Sequence, residues 1–284
     1  MAQVIDGQRI AEKIRAELKA EALQLREKTG VRPGLAVVLV GDDPSSQIYV
    51  RGKENDCREV GFLSRLFRLP AEIEQEKIVS IVRSLNDDGE IHGILVQLPL
   101  PKHIKPDLII EAIDPRKDVD GLHPYNTGHL FTGHPLHRAC TPSGIIEILD
   151  RCGIPIEGRE AVIVGRSNLV GKPLALMLLS RHATVTICHT MTRNLPEVTR
   201  RAEILVAAAG SPEMIKGGMV RDGAAVIDVG TSRNAEGRLV GDVAYAEVFP
   251  KASWITPVPG GVGPMTRAML LRNTMNAAKL FADV

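Results

Sequence analysis

The chain has 284 residues, with 35 Lys and Arg against 34 Asp and Glu, for a formal charge of +1. This balance supplies no overall field to gather nucleic acid or an anionic membrane surface, so a small-molecule ligand is the expectation. The Met1–Asp6 segment lacks the basic-then-apolar pattern of a secretory leader, no apolar run is long enough to span a bilayer, and Cys57, Cys140, Cys152 and Cys188 form no C-x-x-C pair, which together point to a cytoplasmic protein with reduced thiols.

In chain order, a cap at Asp6 and helical spacing of Ile10, Ile14 and Leu18 predict a helix to Thr29-Gly30, feeding a buried strand over Leu35–Val40. Asp42-Asp43-Pro44-Ser45-Ser46 supplies capping groups and an early proline for a helix to about Val60, stopped by Gly61. A strand at about Phe62–Leu69, a helix at about Ile73–Leu85 and a strand over Gly93–Gln97 follow. The His- and Pro-containing stretch His123–Arg138 breaks the pattern, which restarts near residue 140 with a helix to about Cys152 and a strand over Ala161–Val164. A glycine turn, an apolar helix around Leu174–Leu179 and strands over Thr184–Cys188, Ile204–Ala208 and Ala225–Val229 come next. The last periodic segment, Met265–Leu280, is expected to return to the first domain.

Alternating strands and helices predict a fold of the α/β class: two α/β domains with mostly parallel sheets, the C-terminal one a Rossmann-like dinucleotide domain. The expected division is 1–139, completed by 265–284, against 140–264.

Two segments dense in Pro and Gly, Gln97-Leu98-Pro99-Leu100-Pro101 and Pro257 through Pro264, suit the walls of a ligand site, since they carry rigid main chain and little side-chain chemistry. Either alone also reads as an ordinary turn. The Leu98-Pro99 and Val258-Pro259 bonds are expected to be cis.

Gly165 to Pro173 follows a strand and opens a helix, where a dinucleotide pyrophosphate would sit on backbone amides. The next strand ends in His189-Thr190-Met191-Thr192-Arg193, with no acid to hold ribose hydroxyls, so Arg166 and Thr190 favour the 2′-phosphate of NADP over NAD. Gly165, Arg166, Ser167, Thr190 and Thr231 form the candidate cofactor set.

Tyr49 and Lys53 are four apart on one helix face, Gln97 stands at the carboxyl end of its strand, and Asp120 lies in Asp118-Val119-Asp120-Gly121. A shielded lysine exchanges protons near neutral pH, the Gln97 amide can hold it, and the Asp120 carboxylate suits an amidine-like heterocycle edge. Singly, Lys53 and Asp120 read as solvated surface charges and Tyr49 as a half-buried helix residue.

Taken together, Tyr49-Val50 through Lys53, Gly93 to Pro101, Lys117 to Gly121, Gly165-Arg166-Ser167 through Gly171, and Pro257 to Thr266 resemble the bifunctional 5,10-methylenetetrahydrofolate dehydrogenase/cyclohydrolase (FolD) family along nearly the whole chain. The resemblance implies NADP-dependent oxidation of 5,10-methylenetetrahydrofolate to 5,10-methenyltetrahydrofolate, then hydrolysis to 10-formyltetrahydrofolate in the same cleft between the domains of a homodimeric enzyme. It also implies that Lys53 transfers the proton of hydrolysis, Gln97 positions Lys53, Tyr49 stacks on the aminobenzoate, and Asp120 holds the pterin. Leu98 joins that substrate set, and Pro259, Gly260 and Gly261 line the pterin pocket.

Three positions depart from the family pattern: Thr190 where serine is common, Arg267 where an aliphatic residue is usual, and His129 where arginine is common. The cluster His123, His129, His134, His137 and Cys140 matches no common zinc spacing, and no metal is expected. Two rivals are an NADP-dependent dehydrogenase of small hydroxy or amino acids and a silent dinucleotide-sensing module. The former has no need for Tyr49, Gln97 and Asp120 together, and the intact Lys53 speaks against the latter.

Overall fold

The computed structural model describes residues 1–234 and 236–283, and the side chain of Ser45 is outside that description. The proposed capping contribution of Ser45 and the final residue of the 265–284 segment, Val284, therefore lie outside the described residues. In chain order the principal elements are β1 (Gln3–Val4), α1 (Gly7–Thr29), β2 (Gly34–Val40), α2 (Pro44–Val60), β3 (Leu63–Leu69), α3 (Gln75–Asp87), β4 (Gly93–Val96), α4 (Pro106–Glu111), α5 (Pro124–Phe131) and α6 (Cys140–Arg151). They continue with β5 (Glu160–Val164), α7 (Gly171–Leu179), β6 (Thr184–Cys188), α8 (Leu195–Thr199), β7 (Ile204–Ala207), β8 (Ala225–Asp228), β9 (Ser232–Arg233), β10 (Leu239–Val240), α9 (Tyr245–Val248), β11 (Trp254–Ile255) and α10 (Val262–Phe281).

Two compact units divide the chain: 12–140 with 267–284, and 1–11 with 141–266. In the first, β2 lies between β3 and β4 in a parallel three-stranded sheet, and all seven of its residues are buried. A central strand covered on both faces has no polar side to present, which explains the unbroken apolar run Leu35–Val40. Ala36, Val38 and Val40 pack with Ile78 and Val82 of α3, Ile94 and Val96 of β4, and Ile109 of α4. The amide of Ser46 donates to Asp43 Oδ2 at 2.7 Å, and α2 ends at Gly61 with φ 80°.

In the second unit six parallel strands run in the order β1-β11-β8-β7-β5-β6. From β5 the chain steps to β6 on one side and then returns to β7 on the other, so a topological switch point lies between β5 and β7. Val162, Val164, Leu205, Ala207, Val226 and Ile255 contribute to its core. Residues 1–11 cluster with this unit, where Gln3 and Val4 pair with Trp254 and Ile255 at the sheet edge.

Within the stretch left without periodicity from His123 to Arg138, Pro124 and Tyr125 open the helix α5. Both expected cis bonds, Leu98-Pro99 and Val258-Pro259, are cis.

Candidate active site

Lys53 and Gln97 lie 44 residues apart in sequence, and the parallel pairing of β2 with β4 makes them neighbours. Both α2 and the Gln97 loop leave the carboxyl edge of the sheet, the edge at which open α/β sheets hold ligands. Lys53 Nζ donates to Gln97 Oε1 at 2.8 Å, while Gln97 Nε2 donates to the Leu98 carbonyl at 2.7 Å. Each end of the amide therefore has a partner, and its orientation follows from the hydrogen bonds: the oxygen must face the amine.

Lys53 is 9% exposed. Burial pushes its ammonium below the ordinary lysine range, the charge of Asp120 pulls it back up, and the Arg267 guanidinium adds to the downward push. The thiols of Cys140 and Cys57 are raised by burial, Cys57 to about 12, so both are neutral near pH 7 and leave Asp120 and Arg267 as the charges that face Lys53. The Asp120 carboxyl is itself raised by burial, with Lys53 drawing it down. A buried amine and a buried carboxyl whose affinities for protons converge make a site suited to proton exchange. Tyr49, one turn before Lys53, is 42% exposed, and Leu98 is half-buried.

The Asp120 loop is fixed from below. Ile94 N donates to Lys117 O at 2.8 Å, joining the loop to β4. Asp118 Oδ2 accepts from His123 N and Asn126 Nδ2, both at 2.8 Å, and Asn273 Nδ2 donates to the carbonyls of Val119 and Arg138 at 2.8 and 2.9 Å. Neither Asn126 nor Asn273 was singled out in the sequence, since a lone asparagine carries no signal until its partners are known.

The candidate cofactor residues share the carboxyl edge of the other sheet. Gly165 follows β5 at the switch point with φ 130°, and a Cβ there would lie 2.1 Å from the Ala208 carbonyl oxygen after β7. Only glycine fits both that conformation and that approach. A Cβ on Gly171 would meet the Gly165 oxygen at 2.1 Å, so the turn and the start of α7 are pressed together, and no side chain of Val170 caps the helix. The resulting main-chain cradle at an uncapped helix N-terminus fits a dinucleotide pyrophosphate. Arg166 and Ser167 are exposed on this turn; Thr190 is exposed two residues past Cys188, the partner of Val164. Thr231 is exposed beyond β8. Pro259, Gly260 and Gly261 follow β11 in this same unit; Pro259 is exposed, whereas Gly261 is buried, with room only for main chain beside Thr256 and Pro257.

Two buried acids missed in the sequence organise this edge. Asp228 Oδ1 accepts from Gly230 N and Asp242 N at 2.9 and 2.8 Å, and its Oδ2 from Val243 N at 3.0 Å. Asp242 Oδ2 accepts from Ala209 N and Gly210 N at 2.6 and 2.8 Å. The only clue was an acid ending the apolar run Ala225–Ile227.

The histidine run is dispersed into other tasks. His123 Nδ1 accepts from Tyr125 N at 3.0 Å at the start of α5, His129 packs on the Tyr125 ring with centroids 4.3 Å apart, and buried His137 donates from Nε2 to Arg116 O at 2.8 Å.

Comparison with known proteins supplies the lineage. Residues 5–120 match the tetrahydrofolate dehydrogenase/cyclohydrolase catalytic domain, and residues 139–282 match the NAD(P)-binding domain of the same family. The chain belongs to the tetrahydrofolate dehydrogenase/cyclohydrolase family. It is 55% identical over 280 residues to the bifunctional protein FolD 2 of Geobacter sulfurreducens, covering 99% of this chain and 98% of that one. Among solved structures it is similar to the FolD methylenetetrahydrofolate dehydrogenase/cyclohydrolase of Campylobacter jejuni, with TM-score 0.96, 47% identity and 99% of each chain covered. The Trypanosoma brucei enzyme, solved with NADP and an inhibitor, gives TM-score 0.94 and 40% identity over 98% of each chain.

Proposed function

We propose that this chain oxidises 5,10-methylenetetrahydrofolate with NADP⁺ and hydrolyses the 5,10-methenyl product to 10-formyltetrahydrofolate, with Lys53, Gln97 and Asp120 at the reacting folate. The observation that carries the reading is the buried Lys53 amine held by the Gln97 amide at 2.8 Å. Family membership and near-complete coverage of bifunctional relatives support both activities.

NADP⁺, when bound, accepts a hydride from the methylene carbon. Gly165, Arg166, Ser167, Thr190 and Thr231 are the residues that would hold it: the first three stand at the α7 start, and Arg166 and Thr190 would supply the charge and hydroxyl for a 2′-phosphate. Tyr49 stacks on the aminobenzoate, Leu98 lines the same site, and Asp120 engages the pterin's amidine edge. Loss of hydride leaves an amidinium cation and requires no proton to depart from carbon, so Lys53 has no base role in that step. In hydrolysis, Lys53 in its neutral form takes a proton from water as the water oxygen bonds to the amidinium carbon. The bond from that carbon to N5 then breaks, N5 regains a proton, and one proton is released overall. Because the carbon is already cationic, proton management at Lys53 suffices to drive attack.

In this reading the 12–140 and 267–284 unit binds folate and the other binds NADP. The family resemblance also supports a cytoplasmic homodimer, and no helix among the described residues is long and apolar enough to cross a membrane. Purified protein should reduce NADP⁺ with methylenetetrahydrofolate and, in a parallel assay, consume methenyltetrahydrofolate faster than buffer does. Absence of either activity from folded protein would overturn the bifunctional reading.

A further inference from the structure

Gly52 and Asp56 are four apart on α2, so they lie on one face, and they flank Lys53 in sequence. Arg267 of α10 lies across this face. A Cβ on Gly52 would fall 2.1 Å from the Arg267 Nη1 and 3.2 Å from its Cζ, so the guanidinium occupies the space a side chain at 52 would fill. Its Nε stands 3.3 Å from Asp56 Oδ2, and the Asp56 side chain is only 8% exposed. Arg15, the other nearby cation, is 4.0 Å from Asp56 but hydrogen-bonds Glu59 at 2.8 Å, leaving Arg267 as the closer counter-charge of Asp56. A buried carboxylate is costly to leave unpaired, and the half-buried guanidinium that answers it stands beside a buried amine, which gives the pair a use beyond packing.

We propose that Arg267, seated over Gly52 and ion-paired with Asp56, is a positioning residue that acts on Lys53 and sets the pH range in which methenyl hydrolysis runs. This rests on the proposed role of Lys53 as the proton acceptor of hydrolysis. The groups that face Lys53 are Cys57 on its own helix, Gln97 after β4, Asp120 in the loop below, Cys140 at the start of α6 and Arg267 of α10. With both thiols neutral, Asp120 favours the ammonium and Arg267 opposes it. Gln97 contributes a dipole and no charge. Arg267 therefore favours the neutral amine that accepts a proton, and Asp56 limits that effect by neutralising it in part.

The test is the pH profile of methenyl hydrolysis, corrected for the uncatalysed rate, with dehydrogenase kcat measured beside it. Hydrolysis should rise with pH as Lys53 loses its proton. Arg267→Met should move the midpoint of that rise upward by roughly half a unit to one unit, which is about three- to tenfold slower hydrolysis below the midpoint, with dehydrogenase kcat little changed. Asp56→Asn should move the midpoint downward, the Asp56→Asn/Arg267→Met double variant should return close to the parent, and Arg267→Lys should keep most of the parent profile. Gly52→Ala, which retains both charges and suits a helix, should displace the guanidinium and move the midpoint in the same direction as Arg267→Met. A packing role alone would lower both activities at every pH, without shifts of opposite sign. Unchanged midpoints in Arg267→Met and in Asp56→Asn, with native circular dichroism, would overturn the proposal while leaving Lys53 in place. Retention of hydrolysis by a Lys53→Met control would instead remove Lys53 as the base, and this inference with it.

Discussion

Replacing Lys53 with Met keeps a long, unbranched side chain in the same buried place while removing the amine. General-base help is worth about 10²–10⁴-fold in rate, so hydrolysis of the methenyl substrate should fall by that factor. The dehydrogenase should stay within about tenfold, because hydride departure needs alignment and no base at this position. Stability should change little near neutral pH, for two opposed reasons. The bond to Gln97 at 2.8 Å is lost, worth roughly 1.5–3 kcal/mol for a charged donor, and the Asp120 carboxyl loses its ammonium neighbour. Against this, burial holds the Lys53 pKa below that of the unfolded chain, so the native state binds fewer protons and the parent carries a cost below the folded pKa. That cost fades as pH rises through the folded toward the unfolded value, and methionine removes it at the lower pH. Parallel assays of NADP⁺ reduction and methenyl consumption, with a thermal melt, read all three quantities. An equal loss of both activities in a variant with native melting would refute the division of labour.

Three further outcomes follow from the cofactor unit. Arg166→Ala should raise the KM for NADP⁺ about 10- to 100-fold while barely moving that for NAD⁺, the value of a charge-assisted phosphate contact; an unchanged cofactor ratio would dismiss the 2′-phosphate assignment. Gly165→Ala combines φ 130° with a 2.1 Å approach to a main-chain oxygen and should cost about 2–5 kcal/mol, visible as an earlier urea midpoint and weaker NADP⁺ binding; parent-like values for both would contradict the close-packed cradle. Burial raises the Asp228 carboxyl to about 6 from an ordinary 3.8, so the folded state binds more protons than the unfolded chain between those values. Its contribution to stability therefore declines as pH rises from about 4 to about 6, by about 3 kcal/mol in all, and Asp228→Asn should abolish that slope in urea midpoints taken across the interval.

Strands such as β2 and β5 were legible because a strand covered on both faces must be apolar throughout, and Leu35–Val40 and Ala161–Val164 are. Strands β1 and β11 have only two residues each, too few for any period to emerge, so the pairing of Gln3 and Val4 with Trp254 and Ile255 was not legible. Helix α5 was masked because its opening Pro124 and its histidines resemble loop chemistry. Within the site, Tyr49 and Lys53 could be paired by helical spacing, and Gln97 by its place at a strand end. The Asp56–Arg267 pair could not, because the two residues lie 211 positions apart and are joined only by the packing of α10 on α2. Asp228 and Asp242 were illegible for a related reason: a buried acid is recognised by the amides around it, and those come from five residues in three separate loops.

The interleaved course of the chain has a consequence during synthesis. The sheet of the nucleotide unit is sealed at one edge by Gln3 and Val4, made long before their partners Trp254 and Ile255, while the other unit awaits 267–284. Neither half can finish folding on the ribosome before translation has passed residue 255, so a truncated product would expose unfilled apolar surface or a raw strand edge and become a target for proteolysis. Expression of an excised 141–266 fragment should accordingly yield aggregates unless the leading segment is grafted back.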